Sequence, residues 1–129
     1  MLGPMDAAQA IADLTEISPQ IREVAIIGAD GSLVGSNAPE TAAARLATAA
    51  ARLVEEAERL RTDIAQLEAA TVNGSVFVVR DRGRLIAATT SPEPTVGLVF
   101  YDLKTCLRSV ESPAPKRRRA PARKASDAS

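Results

Sequence analysis

The chain has 129 residues, of which 46% are hydrophobic and only 2% aromatic, so a single domain with an aliphatic core is expected. It contains no histidine and one cysteine, Cys106, which excludes a Ser-His-Asp triad, a Cys-His pair, a His-ligated metal site and an internal disulfide. The net charge of zero conceals an acidic body, residues 1–115 at −5, and a basic tail, residues 116–129 at +5.

The first part of the chain has the pattern of an amphipathic helix followed by a β-hairpin. Asp6, with Gln9 three residues later, predicts the capping box of the first helix. The predicted dry face of this helix consists of Ala7, Ala10, Ile11, Leu14 and Ile17. A β-branched strand is expected over 21–27, a type I′ turn at the Asp-Gly pair 30–31, and a returning strand over 32–36.

The stretch 39–67 predicts a long helix around which the rest of the chain is organised. A stripe of mostly large apolar residues is expected to pack on a sheet: Leu46, Ala50, Leu53, Ala57, Leu60 and Ile64. A second stripe of small residues favours contact with a partner helix, such as a copy of the same one: Ala44, Ala47, Ala51 and Val54. The alternative is that alanine serves only as a good helix former. A third stripe is polar: Thr41, Arg45, Thr48, Arg52, Glu55, Glu56, Arg59 and Asp63.

The second half of the chain predicts three strands and a last helix. The strands are expected over 69–72, 75–80 and 84–90, with the Asn-Gly pair 73–74 as a hairpin turn. The segment SVFVVR at 75–80 is apolar on both faces, which indicates a strand buried between two layers. The dry face of the last helix consists of Val96, Val99, Phe100, Leu103, Leu107 and Val110.

This order predicts an α+β domain, a three-layer α/β sandwich. Its centre is a mostly antiparallel five-stranded sheet with helices on both faces, in the order helix-strand-strand-helix-strand-strand-strand-helix. We expect the domain to span residues 1–112. Residues 113–129 are rich in Pro, Ala, Lys and Arg and are expected to form a disordered basic tail.

Four pieces of the chain, taken in this order, resemble the roadblock (dynein light chain) family over roughly residues 6–111. They are the opening strands SPQIREVAIIGADGSLVGS, the central helix RLATAAARLVEEAERL, the last hairpin VFVVRDRGRLIAATT and the final helix entry PTVGLVFYDL. None of them is a catalytic fingerprint, so the resemblance depends on their order. The chain departs from the family in its basic tail and in its short Asn73-Gly74 turn.

The resemblance implies a homodimer, or a heterodimer with a paralogue, in which a sheet edge pairs across the interface and the long helices lie side by side. The predicted interface residues are Ala44, Ala47, Ala51, Val54 and Val72. The family also implies binding of a small Ras-like GTPase without catalytic side chains of its own. A GTPase lying across the paired helices would meet the polar residues Arg45, Arg52, Glu55, Glu56 and Arg59, which otherwise form a solvated face with i,i+4 ion pairs.

Other motifs favour ordinary structural roles. The chain has no GxxxxGK[ST] sequence, so we expect neither a P-loop enzyme nor any cofactor. Cys106 is expected to be a buried, inert thiol. Arg80, Arg82 and Arg84 crowd one hairpin, where a solvated turn is favoured over an anion or GTPase contact.

The tail cations could hold nucleic acid, anionic lipid or an acidic partner: Lys116, Arg117, Arg118, Arg119, Arg123 and Lys124. No stretch of the sequence is apolar and long enough to span a membrane, and the N-terminus lacks a secretory signal, so a cytoplasmic protein is expected. Two functions are therefore open. One is a non-enzymatic dimeric scaffold for a small GTPase, and the other is a structural dimer tethered by its tail to nucleic acid or membrane.

Overall fold

The computed structural model describes residues 6–110, and they form five strands and three helices in the predicted order. The elements are α1 (Ala7–Ile17), β1 (Ile21–Ile27), β2 (Leu33–Ser36), α2 (Glu40–Leu60), β3 (Gln66–Thr71), β4 (Gly74–Asp81), β5 (Arg84–Thr90) and α3 (Val96–Ser109). Asp6 caps α1 as predicted, because its carboxylate accepts the backbone N–H of Gln9 at 2.8 Å. The Gln9 side chain instead donates to Asp13, so the capping box is only half formed.

The strands form one antiparallel sheet in the order β2-β1-β5-β4-β3. At each end of this order the two outermost strands are consecutive in the chain, β1 and β2 at one end and β3 and β4 at the other. Strand β5 lies in the centre of the sheet, between β1 and β4. Within residues 6–110 each edge strand pairs on one side only, β2 with β1 and β3 with β4. The predicted antiparallel sheet is confirmed.

Helices cover both faces of the sheet, which confirms the predicted three layers. The larger core lies beneath α1 and α3, where Val24, Ile26, Phe77 and Val79 point away from α2. The second core lies beneath α2 and contains residues of β1, β4 and β5: Ala25, Ile27, Val78, Leu85 and Ala87. Strand β4 therefore buries residues on both faces, as its apolar sequence predicts.

The long helix is shorter than predicted. It ends at Leu60, because Arg61 has an extended conformation and Asp63 has φ 62, so the chain turns back towards the sheet edge. Ile64 therefore lies outside the helix, and Leu67 belongs to β3. The prediction that Leu60 packs on the sheet is wrong, since Leu60 is 85% exposed on the last turn of α2.

The turns also differ from their predicted types. Only Gly31 of the Asp30-Gly31 pair has a positive φ, and the β1–β2 connection spans residues 28–32. The β3–β4 turn consists of residues 72–73, both with negative φ, because Thr71 pairs directly with Gly74. The two-residue I′ turn joins β4 to β5 instead, where φ is 56 at Arg82 and 80 at Gly83.

Two residues of the predicted dry faces are exposed. Ile17 is 66% exposed at the end of α1, and Val96 is 39% exposed at the start of α3. Ile17 is the last residue of α1 and Val96 is the first residue of α3, so the apolar pattern of each helix continues to an end that is not covered. The other residues of both dry faces contribute to the larger core or pack against it.

Candidate functional site on the long helix

The surface of α2 that faces away from the sheet carries a shallow, widely open groove of about 680 Å³, which is lined by residues of α2 alone. Its apolar floor includes Ala44, Ala49 and the half-buried Leu53. Arg45 and Arg52 lie along the same groove, one helical repeat of seven residues apart. We call this feature the α2 groove. It combines apolar area with the positive charge of two arginines, and arginine is enriched in the interfaces between proteins.

The predicted polar residues are divided between two surfaces. Arg45, Arg52 and Glu56 line the α2 groove, whereas Glu55 lines a groove of about 400 Å³ beside the β1–β2 loop, which shares Arg52 with the α2 groove. The predicted i,i+4 ion pairs are not formed. In the part of the chain that the structure describes, Glu56 instead pairs with Arg59 at i,i+3, with 3.8 Å between Oε2 and Nη2. Both side chains are more than 60% exposed, so this pair adds little stability.

The predicted stripe of small residues does not form one free surface. Val54 is buried and belongs to the core beneath α2, so it is not available to a partner. Four residues on an ideal helix turn about 40° beyond a full circle, so Val54 points towards the sheet with the buried Ala50. Ala47 and Ala51 line the groove beside the β1–β2 loop, while Ala44 lines the α2 groove.

A partly covered region of the sheet lies beside α2. Helix α2 packs chiefly on β1 and β5. It therefore covers β3 and the start of β4 only in part. Leu67 and Val76 lie on this face, both half-buried, and both pack against the core that contains Val78. We call this region the β3–β4 shelf. Val72, predicted to lie at an interface, is 92% exposed in the turn that follows β3.

The arginine hairpin is not simply a solvated turn. Arg80 pairs with Glu58 of α2, and of the three arginines only Arg82, at the tip, is exposed. Arg84 is 8% exposed, and its guanidinium donates to the carbonyl oxygens of Val110 at 3.1 Å and Leu107 at 3.0 Å. It therefore binds the C-terminal end of α3, where the helix dipole favours a cation.

Cys106, the single cysteine of the chain, is chemically inert. Cys106 is buried, as predicted, and its Sγ lies 3.5 Å from the carbonyl oxygen of Ala10. Burial raises the pKa of the Cys106 thiol to about 12, and the carboxylate of Asp13 acts in the same direction. At neutral pH the thiol is therefore protonated and is neither a nucleophile nor a metal ligand.

Several surface features could not be read from the sequence. The β3–β4 shelf and the role of Arg84 depend on how α2 and α3 lie across the sheet, which no local pattern encodes. The predicted tail site lies outside the described residues: Lys116, Arg117, Arg118, Arg119, Arg123 and Lys124. None of the helices within residues 6–110 has the length and apolar character needed to cross a membrane.

Comparison with known proteins identifies the fold. No protein-family model matches the chain, and no curated protein matches it. Among solved structures, a Roadblock/LC7 domain from Streptomyces avermitilis superposes with a TM-score of 0.73 at 17% identity, covering 81% of this chain and 94% of that one. Myxococcus xanthus MglB gives a TM-score of 0.61 at 14% identity, covering 80% of this chain and 89% of that one. An MglB structure with a tetrameric arrangement gives a TM-score of 0.60 at 16% identity, covering 81% of this chain and 87% of that one. The chain therefore has the roadblock/LC7 fold, as the resemblance of its sequence predicted.

Proposed function

We propose that this protein is a non-enzymatic, dimeric roadblock-type scaffold that binds a small Ras-like GTPase. The observation that carries the proposal is the α2 groove, an open surface with an apolar floor between two arginines. The choice of a GTPase as the partner is based on the resemblance of the sequence to the roadblock family. The fold that the chain shares with MglB and with the Roadblock/LC7 domain agrees with that resemblance.

The β3–β4 shelf supports a second copy of the chain as the dimer partner. Strand β3 has an unpaired edge within residues 6–110, and an exposed edge readily pairs with another strand. Leu67 and Val76 are half-buried beside that edge, and Leu53 borders them from α2. A second α2 lying along the first would cover this apolar area while the two β3 edges pair. The tetrameric arrangement of one MglB structure is consistent with self-association in this fold.

The dimer is tested by adding one carboxylate to either flank of α2. Ala49→Glu places a charge beside Leu53 in the α2 groove, and we expect it to yield monomer because the interface would bury an unpaired charge. Ala51→Glu places the same charge beside the β1–β2 loop, where the predicted small-residue interface would lie. Ala12→Glu, on the exposed face of α1, is the matched control.

Light scattering of the three variants at micromolar concentration distinguishes the possibilities. We expect twice the monomer mass for the control and for Ala51→Glu, and the monomer mass for Ala49→Glu. If Ala51→Glu were the only variant with the monomer mass, the interface would lie on the flank of α2 beside the β1–β2 loop. A monodisperse monomer for the unmodified chain would contradict the dimer altogether.

In this arrangement the second α2 covers the side of the α2 groove at Ala49 and Leu53, and the GTPase is proposed to lie on the other side, at Arg45 and Arg52. Their positive charge would attract an acidic surface of the partner and accelerate association. Glu56 is partly neutralised by Arg59, so the groove keeps a net positive character.

Capture of a GTPase tests this surface. The immobilised chain should retain from cytosol of its own organism a protein whose sequence contains GxxxxGK[ST], identified by mass spectrometry. Replacing Arg45 and Arg52 together by Ala should reduce its retention at least tenfold, with most of the loss in a slower association. Arg22→Ala, an exposed arginine on β1, is the control and should retain it fully. Equal retention by all three proteins would exclude the α2 groove as the docking surface.

A further inference from the structure

The C-terminal end of α1 lies beside the start of α3, on the sheet face opposite α2. Gln20, which follows α1, joins the two ends, since its side-chain oxygen accepts the backbone N–H of Thr95 at 2.7 Å. Further along the helices, the Sγ of Cys106 lies 3.5 Å from the carbonyl oxygen of Ala10. The two helices therefore run antiparallel and side by side. We call the outer surface that they share the α1–α3 surface, and it consists of Asp13, Glu16, Ile17, Leu98, Tyr101 and Asp102.

Helical geometry places these residues along the contact between the two helices. Ile11 of α1 faces β2, because a Cβ at Gly35 would lie 3.6 Å from its Cδ1. Asp13 lies about 160° and Ile17 about 120° around the helix from Ile11, on the side towards α3. On α3, Asp102 and Leu98 precede Cys106 by four and eight residues, so they lie on its α1 side and turn progressively outward.

Exposed apolar side chains are concentrated here. In the part of the chain that the structure describes, seven large apolar side chains are exposed, and four of them belong to the end of α1 or the first half of α3: Ile17, Val96, Leu98 and Tyr101. The other three are scattered over β2, α2 and the β3–β4 turn. Single exposed apolar residues are ordinary, but a group of them marks a surface that another molecule covers.

The same region is acidic. Residues 6–21 and 85–103, which include α1 and the first half of α3, contain no Lys or Arg but five carboxylates: Asp6, Asp13, Glu16, Glu93 and Asp102. Among the described residues none of the five forms an ion pair, although Arg22 and Lys104 follow directly along the chain. The α1–α3 surface therefore combines an apolar patch with net negative charge.

Asp102 is the residue of this surface that gains most from a cation. It is only 8% exposed, and burying a carboxylate without an ionic partner is costly. A second carboxylate is close to it. The pKa of the Cys106 thiol is raised by burial and by the carboxylate of Asp13, which places Asp13 beside the same turns of α3. A Lys or Arg brought by another molecule would balance both charges.

From this juxtaposition we propose that the α1–α3 surface docks a basic amphipathic helix of a partner protein. A third helix fits over two adjacent helices, because its side-chain ridges pack into the grooves between theirs. Its apolar side chains cover Ile17, Leu98 and Tyr101, and a Lys or Arg at its margin pairs with Asp102. Since the surface lies on the opposite side of the sheet from α2, the proposed dimer and GTPase leave it free.

Charge and topology disfavour three other occupants. A second copy of the same surface would bring like charges together, and an anionic lipid surface would be repelled by the same carboxylates. An added β-strand finds no strand edge here, because the edges of the sheet belong to β2 and β3.

An NMR titration of the isotope-labelled full chain with a synthetic peptide locates the surface. The probe is an amphipathic peptide of about 18 residues, five helical turns, with Leu on one face and Lys on the other. We expect the largest amide shifts within residues 13–20 and 95–105. The same peptide with Glu in place of every Lys is the matched control and should leave these amides unshifted.

Calorimetric titration with the Lys peptide tests the two parts of the surface. Leu98→Ser combined with Tyr101→Ser should raise Kd roughly tenfold, because a few apolar anchors dominate such interfaces. Asp102→Asn keeps the shape and removes the charge, and it should also raise Kd roughly tenfold. Its urea midpoint should be at or above that of the unmodified chain, because a buried unpaired charge is removed. Leu33→Ser combined with Leu60→Ser, exposed apolar residues outside the surface, is the control and should leave Kd unchanged.

Four results would overturn the proposal. One is absence of binding by the Lys peptide, or amide shifts that are largest on α2. Another is equal affinity for the Glu peptide. A lower urea midpoint for Asp102→Asn would mean that this carboxylate already has a partner within the chain. Finally, a concentration-dependent assembly in light scattering that the combined substitutions of Leu98 and Tyr101 abolish would make a second copy of the chain the occupant.

Discussion

Replacing Gly74 by alanine is expected to lower the free energy of unfolding by about 4 kcal/mol, which is exceptional for a single methyl group. Gly74 begins β4 with φ 147, a conformation that residues with a Cβ rarely adopt. An added Cβ would also collide with the carbonyl oxygen of Thr90 in the neighbouring strand. Since that oxygen belongs to the backbone of a central strand, relief requires β4 and β5 to separate.

Gly97→Ala is the matched control for this prediction. Gly97 lies in α3 with nothing within 4 Å of an added Cβ, so alanine there should leave stability unchanged or raise it by up to about 1 kcal/mol. Urea unfolding of both variants at one protein concentration measures the difference. If Gly74→Ala unfolded at the same midpoint as the unmodified chain, the pairing at the start of β4 would have to differ from that described.

The parts of the fold that the sequence predicts well are those specified by local periodicity. Strand β4 is apolar at every central position, and only burial between two layers accommodates that pattern. The apolar faces of α1 and α3 recur at helical spacing, and they meet the same core. Element order then limits the topology strongly, because successive strands joined by short turns must pair as antiparallel neighbours.

The end of α2 shows where such reasoning fails. Leu60, Ile64 and Leu67 continue the helical spacing beyond the point where the helix stops, so periodicity alone cannot detect the end. No proline or glycine lies in the segment, and the reversal depends on Asp63 adopting φ 62. The chain must reverse there because β3 has to reach the edge of the sheet beside β4.

The candidate sites depend even more on long-range structure. Arg84 is one of three alternating arginines in the sequence, and nothing nearby indicates that it becomes buried. Its hydrogen-bond partners are 23 and 26 residues away, at the end of a different element. Arg52 could be predicted to lie on the polar face of α2, but its apolar neighbours in the α2 groove follow only from how the helix sits on the sheet.

The core is expected to depend heavily on one aromatic side chain. Phe77 is completely buried at the centre of β4, and its ring lies edge-on to that of Phe100 in α3, with 4.9 Å between centroids and an interplanar angle of 74°. The chain has only two phenylalanines and one tyrosine, so the surrounding core is built from smaller aliphatic residues. Few of these side chains could move to fill a space left by the ring.

Phe77→Ala should therefore cost about 3–5 kcal/mol, the range for a buried aromatic whose cavity does not collapse. That is a large share of the ~5–15 kcal/mol typical of a small domain. Phe100→Ala is the comparison, and it should cost clearly less because Phe100 is only half-buried and packs at the margin of the same core. Unfolding in urea at fixed protein concentration keeps any effect of self-association constant. Equal losses for the two variants would mean that the ring pair, rather than burial of Phe77 between the layers, holds α3 on the sheet.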